Sequence, residues 1–105
     1  MPEIRLGGRS IPVDGEGFLT DPAAWDEAVV QDLADSLGIG PLGPDHWKVV
    51  RYLRDYHART GGAPLIRVLC RDTGFTLGGI YALFPPGPAQ GACRVAGLPK
   101  PSGCV

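Results

Sequence analysis

The sequence predicts a mainly α fold of α+β type: a compact orthogonal helical bundle with a helix-turn-helix-like element, a small N-terminal β-hairpin and a mobile C-terminal arm. Three observations carry this reading. Trp25, Val29, Leu33 and Leu37 recur at four-residue spacing, the stripe of an amphipathic helix. The stretch between Pro44 and Gly61 carries a second such stripe. Residues 85 to 105 then hold nine of the chain's 16 Gly and 11 Pro, which marks an irregular segment outside the packed body.

The elements follow in order. Ile4, Leu6, Ile11 and Val13 flank Gly7 and Gly8 as two short strands of a hairpin, with Pro12 confining its strand to an edge. Asp21 is placed to cap the first helix, with Pro22 at its first position and Gly38 as its stop. The outer face of that helix, Asp26, Glu27, Asp32 and Asp35, is acidic. A second helix starts near Pro44 and Asp45 and ends at Gly61 and Gly62, with Trp47, Val50, Leu53 and Tyr56 inward and Lys48, Arg51 and Arg59 outward. Arg51 and Asp55 stand at i,i+4 spacing for an ion pair.

Pro64 opens a third helix, residues 65 to 71, whose Leu65, Ile66, Val68, Leu69 and Cys70 make it look central to the core. A turn at Asp72, Thr73 and Gly74 leads to a fourth helix, about 76 to 84, stopped by Pro85 and Pro86. A last short helix, 89 to 96, ends at Gly97 as a left-handed stop. The division expected is a helical domain over 1–97 and an arm over 98–105.

Composition excludes several classes of protein. The chain has 105 residues, 44% hydrophobic and 20% charged, which is too apolar for a disordered chain and sufficient for one core. No apolar run approaches the ~18 residues of a membrane span, and MPEIRLGGRS has no apolar signal region, so a cytoplasmic location is expected. The net charge of −1 hides an asymmetry. Residues 1 to 45 set Arg5 and Arg9 against nine carboxylates, whereas residues 46 to 71 set Lys48, Arg51, Arg54, Arg59, Arg67 and Arg71 against Asp55 alone.

The basic middle and the two helices joined by DTGF resemble a helix-turn-helix. The second of these, TLGGIYALF, has no Arg, Lys, Asn or Gln to read a base edge, which argues against specific DNA binding. His46 and His57 have no Ser, Asp or Cys at a readable catalytic spacing, and with the cysteines at 70, 93 and 104 they form no zinc pattern. Their expected roles are structural.

The cysteines differ. Cys70 lies in an apolar helical run and reads as a small, inert buried thiol. Cys93 has small neighbours, Gly91 and Ala92, which leave its sulfur approachable, and Arg94 beside it. Cys104 is penultimate, at the end of a Pro/Gly arm, and cannot be core. Eight extended residues reach at most about 25 to 29 Å, so the arm can swing away from the body or fold back towards Cys93. Pro99 and Pro101 stiffen it and Gly97 is the expected hinge. Arg94 and Lys100 favour a thiolate or a bound oxyanion, while the terminal carboxylate opposes one at Cys104.

The run LFPPGPAQGACRVAGLPKPSGCV resembles the C-terminus of the DsrC/TusE family, through the LFP-GPA lead-in, Cys93 followed by AGLPKP, and Gly103 and Cys104 before one final residue. LTDPAAWDE and DHWKVVRYLRDYH are similar to the family as well, so the resemblance spans the chain. Cys70 lies outside the family's motif and Ser102 stands where Thr is more usual.

The resemblance implies a helical fold with a small hairpin and a mobile arm. It further implies a sulfur carrier and redox co-substrate of dissimilatory sulfite reductase, not an enzyme acting alone. Cys104 would take up partly reduced sulfur and Cys93 would then hold it as a trisulfide, with Arg94, Gly97, Pro99, Lys100, Pro101 and Gly103 in support. The implied partners are the α and β subunits of that reductase and a membrane electron-transfer complex. No cofactor is expected on this chain, since sirohaem and the iron–sulfur cluster would belong to the partner. The alternatives are a TusE-like persulfide relay towards tRNA 2-thiouridine, which needs only the penultimate cysteine, and a helix-turn-helix regulator.

Overall fold

Two strands begin the fold. In the computed structural model, which describes residues 3–6 and 8–99, β1 (Glu3–Leu6) pairs antiparallel with β2 (Arg9–Pro12), Ile4 opposite Ile11. The pairing runs one step further than the hairpin, because Val13 bridges Leu19 across a tight loop. Asp14 ties that loop, its carboxylate accepting from the amides of Glu16 and Phe18 at 2.8 and 3.0 Å.

The chain enters its first helix in two stages, not in one as Asp21 and Pro22 suggest. Asp21 accepts from the Ala23 amide at 3.0 Å and starts only a 3-10 turn, Pro22–Ala24. Asp26 then caps the helix proper, α1 (Glu27–Ser36), by accepting from the Ala28 amide at 3.0 Å. Trp25 lies at the break. Helix α1 is the seam of the molecule: Val29 and Leu33 face a small cluster with Leu6, Ile11, Val13 and Leu19, while Val30 and Ala34 face the main core.

Helix α2 (Pro44–Thr60) has Pro44 at its first position and buries Val49, Val50 and Leu53 completely, with Trp47 and Tyr56 half-buried. His46 closes its start, Nδ1 accepting the Gly43 amide at 3.1 Å while Nε2 lies 3.0 Å from the Leu83 carbonyl oxygen. The expected Arg51–Asp55 pair does not form. Asp55 pairs with Arg59 at 2.9 Å and Arg51 lies 3.8 Å from Glu27, the acidic face of α1 offering it a partner.

Helix α3 (Ile66–Thr73) is peripheral, contrary to the central place its apolar run suggests. Only Leu69 and Thr73 are buried, and Leu65, which caps the helix, is 43% exposed. At 100° per residue a consecutive apolar run wraps around the whole cylinder, and an eight-residue helix packed at the surface hides one stripe of it. Helix α4 (Leu77–Leu83) follows through Gly74, capped by Thr76, whose hydroxyl accepts the Gly79 amide at 3.0 Å. Helix α2 packs against α3, and α3 against α4, so the helix-turn-helix-like element is present.

The segment after Pro85 departs most from expectation. Residues Pro88–Cys93 form a π-helical segment against α2, and Ala92, Cys93, Val95, Ala96 and Leu98 are all at most 1% exposed. The glycines and prolines here mark close packing. A Cβ on Gly91 would stand 2.9 Å from Phe84 Cβ, and one on Gly97 would overlap the Trp25 indole. Leu98, the first residue of the expected arm, is itself buried with the body.

Candidate functional site

The site is the end of the π-helical segment. Gly97 takes a left-handed φ of +70°. Its amide donates to the Arg94 carbonyl at 3.0 Å, and the Leu98 amide donates to the Cys93 carbonyl at 3.1 Å. That pair of bonds is a Schellman motif, which returns Leu98 to the level of Cys93. Such a motif satisfies two of the four terminal carbonyls of a helix and leaves the last two open.

Here two distant side chains complete the set. Trp25 Nε1 donates to the Val95 carbonyl at 2.9 Å, and an Arg54 Nη donates to the Ala96 carbonyl at 2.9 Å. The Arg54 guanidinium also stacks on the Trp25 ring, 4.1 Å from its centroid, which makes the two side chains one clamp. Partial burial lowers the Arg54 pKa from its usual value, and the Ala96 carbonyl supplies a negative end for its charge.

Cys93 is fully buried, not approachable as its small neighbours suggested. Gly91 and Ala92 are themselves buried, so their small size draws the backbone into the core instead of opening the sulfur to solvent. Burial alone pushes the thiol up to about 12, and Arg94 adds nothing towards a thiolate. Arg94 points elsewhere: its guanidinium lies against Gly17 and 5.8 Å from the Phe18 ring centroid. Cys70 is half-buried, against the expectation of a buried thiol, because α3 is peripheral. Pro99 is half-buried beyond the turn. Lys100, Pro101, Gly103 and Cys104 lie outside the described residues.

A family-wide sequence profile described as "DsrC like protein" matches residues 5–105. The chain belongs to the DsrC family. Among DsrC-like relatives, it is 46% identical over 105 residues to the gamma subunit of dissimilatory-type sulfite reductase of Nitratidesulfovibrio vulgaris, covering all of both chains. It is 38% identical over 105 residues to the sulfurtransferase TusE of Escherichia coli K12, covering 93% of this chain and 95% of that one. The crystal structure of the oxidized gamma subunit, DsrC, from Archaeoglobus fulgidus superposes with a TM-score of 0.85 at 46% identity, over 99% of this chain and all of the other. The mainly helical fold with its N-terminal hairpin is thus the DsrC fold.

The three residues expected outward stay at the surface of α2, Lys48 5.2 Å from the Phe75 ring centroid, Arg51 5.4 Å from that of Trp47, and Arg59 5.7 Å from that of Tyr56. Arg54, another cation of the basic middle, turns into the clamp. Sequence reasoning missed this. Trp25 read as one more apolar helix position and Arg54 as one more cation of the basic middle, and their partners stand 70 and 42 residues away. Among the described residues no group of three or more His, Cys, Asp or Glu is placed to hold a metal ion, and no helix is long and apolar enough to cross a membrane.

Proposed function

We propose that this DsrC-family chain is a sulfur carrier and redox co-substrate for dissimilatory sulfite reductase, with Cys104 as the loading thiol and Cys93 as the resolving one. The observation that supports it is the end-to-end match to a sulfite reductase gamma subunit at 46% identity, in a chain that carries cysteines at both 93 and 104. In this reading Cys104 receives sulfur that still bears a hydroxyl, as Cys104–S–S–OH. The Cys93 thiol attacks the outer sulfur, its proton leaves with the hydroxyl as water, and a Cys93–S–S–S–Cys104 trisulfide remains. Four electrons and four protons from a membrane electron-transfer complex then return two thiols and one hydrogen sulfide.

The chain works in the cytoplasm as a co-substrate of the α and β subunits, with sirohaem and the iron–sulfur cluster held by them and no cofactor of its own. A second reading, a persulfide relay at Cys104 alone, is favoured by the TusE relatives at 38% identity. DNA regulation has no such support: α4 exposes Leu77, Gly78, Tyr81 and Ala82, none of which reads a base edge.

Intact-mass measurement after incubation with sulfite reductase, sulfite and a reductant tests the reading. Cys104→Ala should gain no sulfur, while Cys93→Ala should gain one sulfur atom but form no internal trisulfide. Loading of Cys104→Ala at the wild-type rate would remove the assignment, and a Cys93→Ala protein indistinguishable from wild type would favour the relay.

A further inference from the structure

The resolving role requires the Cys93 thiol to meet a sulfur electrophile, yet Cys93 is 0% exposed and Leu98, returned to its level by the Schellman turn, is 1% exposed. A thiol in that position reacts only after a local opening, and burial holds it protonated until then. The turn of residues 94 to 98 is bonded to the Cys93 backbone and packs in the same core cluster, so its opening is a local route to the thiol. Besides the burial of Val95, Ala96 and Leu98 and the backbone hydrogen bonds of the turn, two side chains from other elements hold it shut: Trp25 before α1 and Arg54 on α2.

We propose that Trp25 and Arg54 are positioning residues for the chemistry of Cys93: by holding the carbonyls of Val95 and Ala96 they set how often the turn over Cys93 opens and its thiol becomes available for attack. The proposal rests on the reading of Cys93 as the resolving thiol, and it places the control of that thiol outside the cysteine arm. Gly97 seats the turn against the Trp25 ring, so the indole both donates to the turn and walls it. A partner that engages the exposed part of the Arg54 or Trp25 side chain would draw the clamp off and release Cys93 where Cys104 is delivered.

Thiol labelling by an aromatic disulfide tests this without any partner protein. The opened Cys93 loses its proton to solvent, its thiolate attacks one sulfur of the reagent, a protein mixed disulfide forms and the aromatic thiolate leaves. In a Cys70→Ser, Cys104→Ser background Cys93 is the sole thiol. Labelling is followed at fixed pH across urea concentrations below the unfolding transition. Arg54→Gln removes the charged donor, Arg54→Lys keeps a charge and a donor, and Trp25→Phe deletes the indole N–H while keeping an aromatic wall. The last variant keeps the test readable if Arg54→Gln does not fold.

Wild-type labelling should be insensitive to urea, the mark of a local opening. Arg54→Gln and Trp25→Phe should speed it roughly tenfold, as loss of one partly buried hydrogen bond implies, with Arg54→Lys nearer to wild type. Labelling of Cys70, measured in a Cys93→Ser, Cys104→Ser background, should not move. Urea-dependent labelling that tracks global unfolding, equal acceleration of Cys70 and Cys93, or no acceleration at all would each overturn the proposal. Failure of sulfur loading at Cys104 would instead sink the carrier reading and leave these labelling rates as they are.

Discussion

Trp25 donates its indole N–H to the backbone carbonyl of Val95 at 2.9 Å, tying the break before α1 to the turn after Cys93 across 70 positions of sequence. The same ring packs against Gly97, whose φ of +70° and missing Cβ are both required there. Gly97 is therefore packed against the body at the position where a hinge is expected.

Gly97→Val is expected to destabilise the whole domain. A β-branched side chain at a left-handed φ is strained, and its Cβ overlaps the Trp25 indole, so the combined cost is about 3 kcal/mol or more. Urea denaturation measures it. A midpoint within experimental error of wild type would show that the turn and the indole separate at little cost, and the clamp geometry would lose its meaning.

The hairpin, the limits of α2 and α4 and the stop at Gly97 were legible because Gly, Pro and the periodic apolar positions act locally. Pro44 and Gly61 bound α2 with no help from tertiary contacts. The core position of residues 88 to 98 was illegible for the opposite reason. A run dense in Gly, Pro and Ala has the same composition whether it is loose or pressed against a ring, and only Phe84 and Trp25, brought there by the fold, decide between the two. Burial of Cys93 follows from that placement, and so does the inward turn of Arg54. The family was legible throughout, since it rests on residue identity and spacing alone.

His46 should matter as a hinge pin of the helical layer and not as a catalytic base. Its Nδ1 accepts the Gly43 amide, its Nε2 meets the Leu83 carbonyl, and its ring stands edge-on to Phe84 with centroids 5.3 Å apart. His46→Ala orphans both backbone groups and is expected to cost about 1 to 3 kcal/mol. His46→Gln can restore the bond to the Gly43 amide, as a capping residue at the third helical position does, and should recover part of the loss. Equal stability of the Ala and Gln variants by urea denaturation would refute the capping role.

Lys48 and Arg51 form the outward basic face of α2 and are expected to speed encounter with an acidic partner surface without supporting the fold. Arg51 is 72% exposed and its 3.8 Å approach to Glu27 contributes little to stability. The double variant Lys48→Glu, Arg51→Glu should unfold within about 0.5 kcal/mol of wild type. It should associate with sulfite reductase roughly tenfold more slowly at low ionic strength, an effect that fades above ~0.15 M salt. Stopped-flow association at two salt concentrations decides it, and a rate unchanged at low salt would place the docking face elsewhere.

Stability should fall in alkali, and two groups set the window. Burial raises the Cys93 thiol from 9.0 to about 12, and burial together with the 2.6 Å hydrogen bond to Asp72 raises the Tyr52 hydroxyl from 10.0 to about 12. Both folded values lie above the unfolded ones, so each group's contribution is fully present below its unfolded pKa. Between that value and the folded one the unfolded chain releases a proton that the folded chain retains, which favours unfolding. Stability is therefore expected to hold up to about pH 9 and decline steadily towards pH 12, with Cys93 acting first. The slope from a single group is at most about 1.4 kcal/mol per pH unit. Urea denaturation of wild type and Cys93→Ala from pH 8 to 11 separates the two contributions: the variant should keep its stability to about one pH unit higher, where Tyr52 takes over. If both proteins lose stability in parallel from pH 9, the Cys93 thiol ionises as easily in the folded state as in the unfolded one, and its burial cannot be what keeps it unreactive.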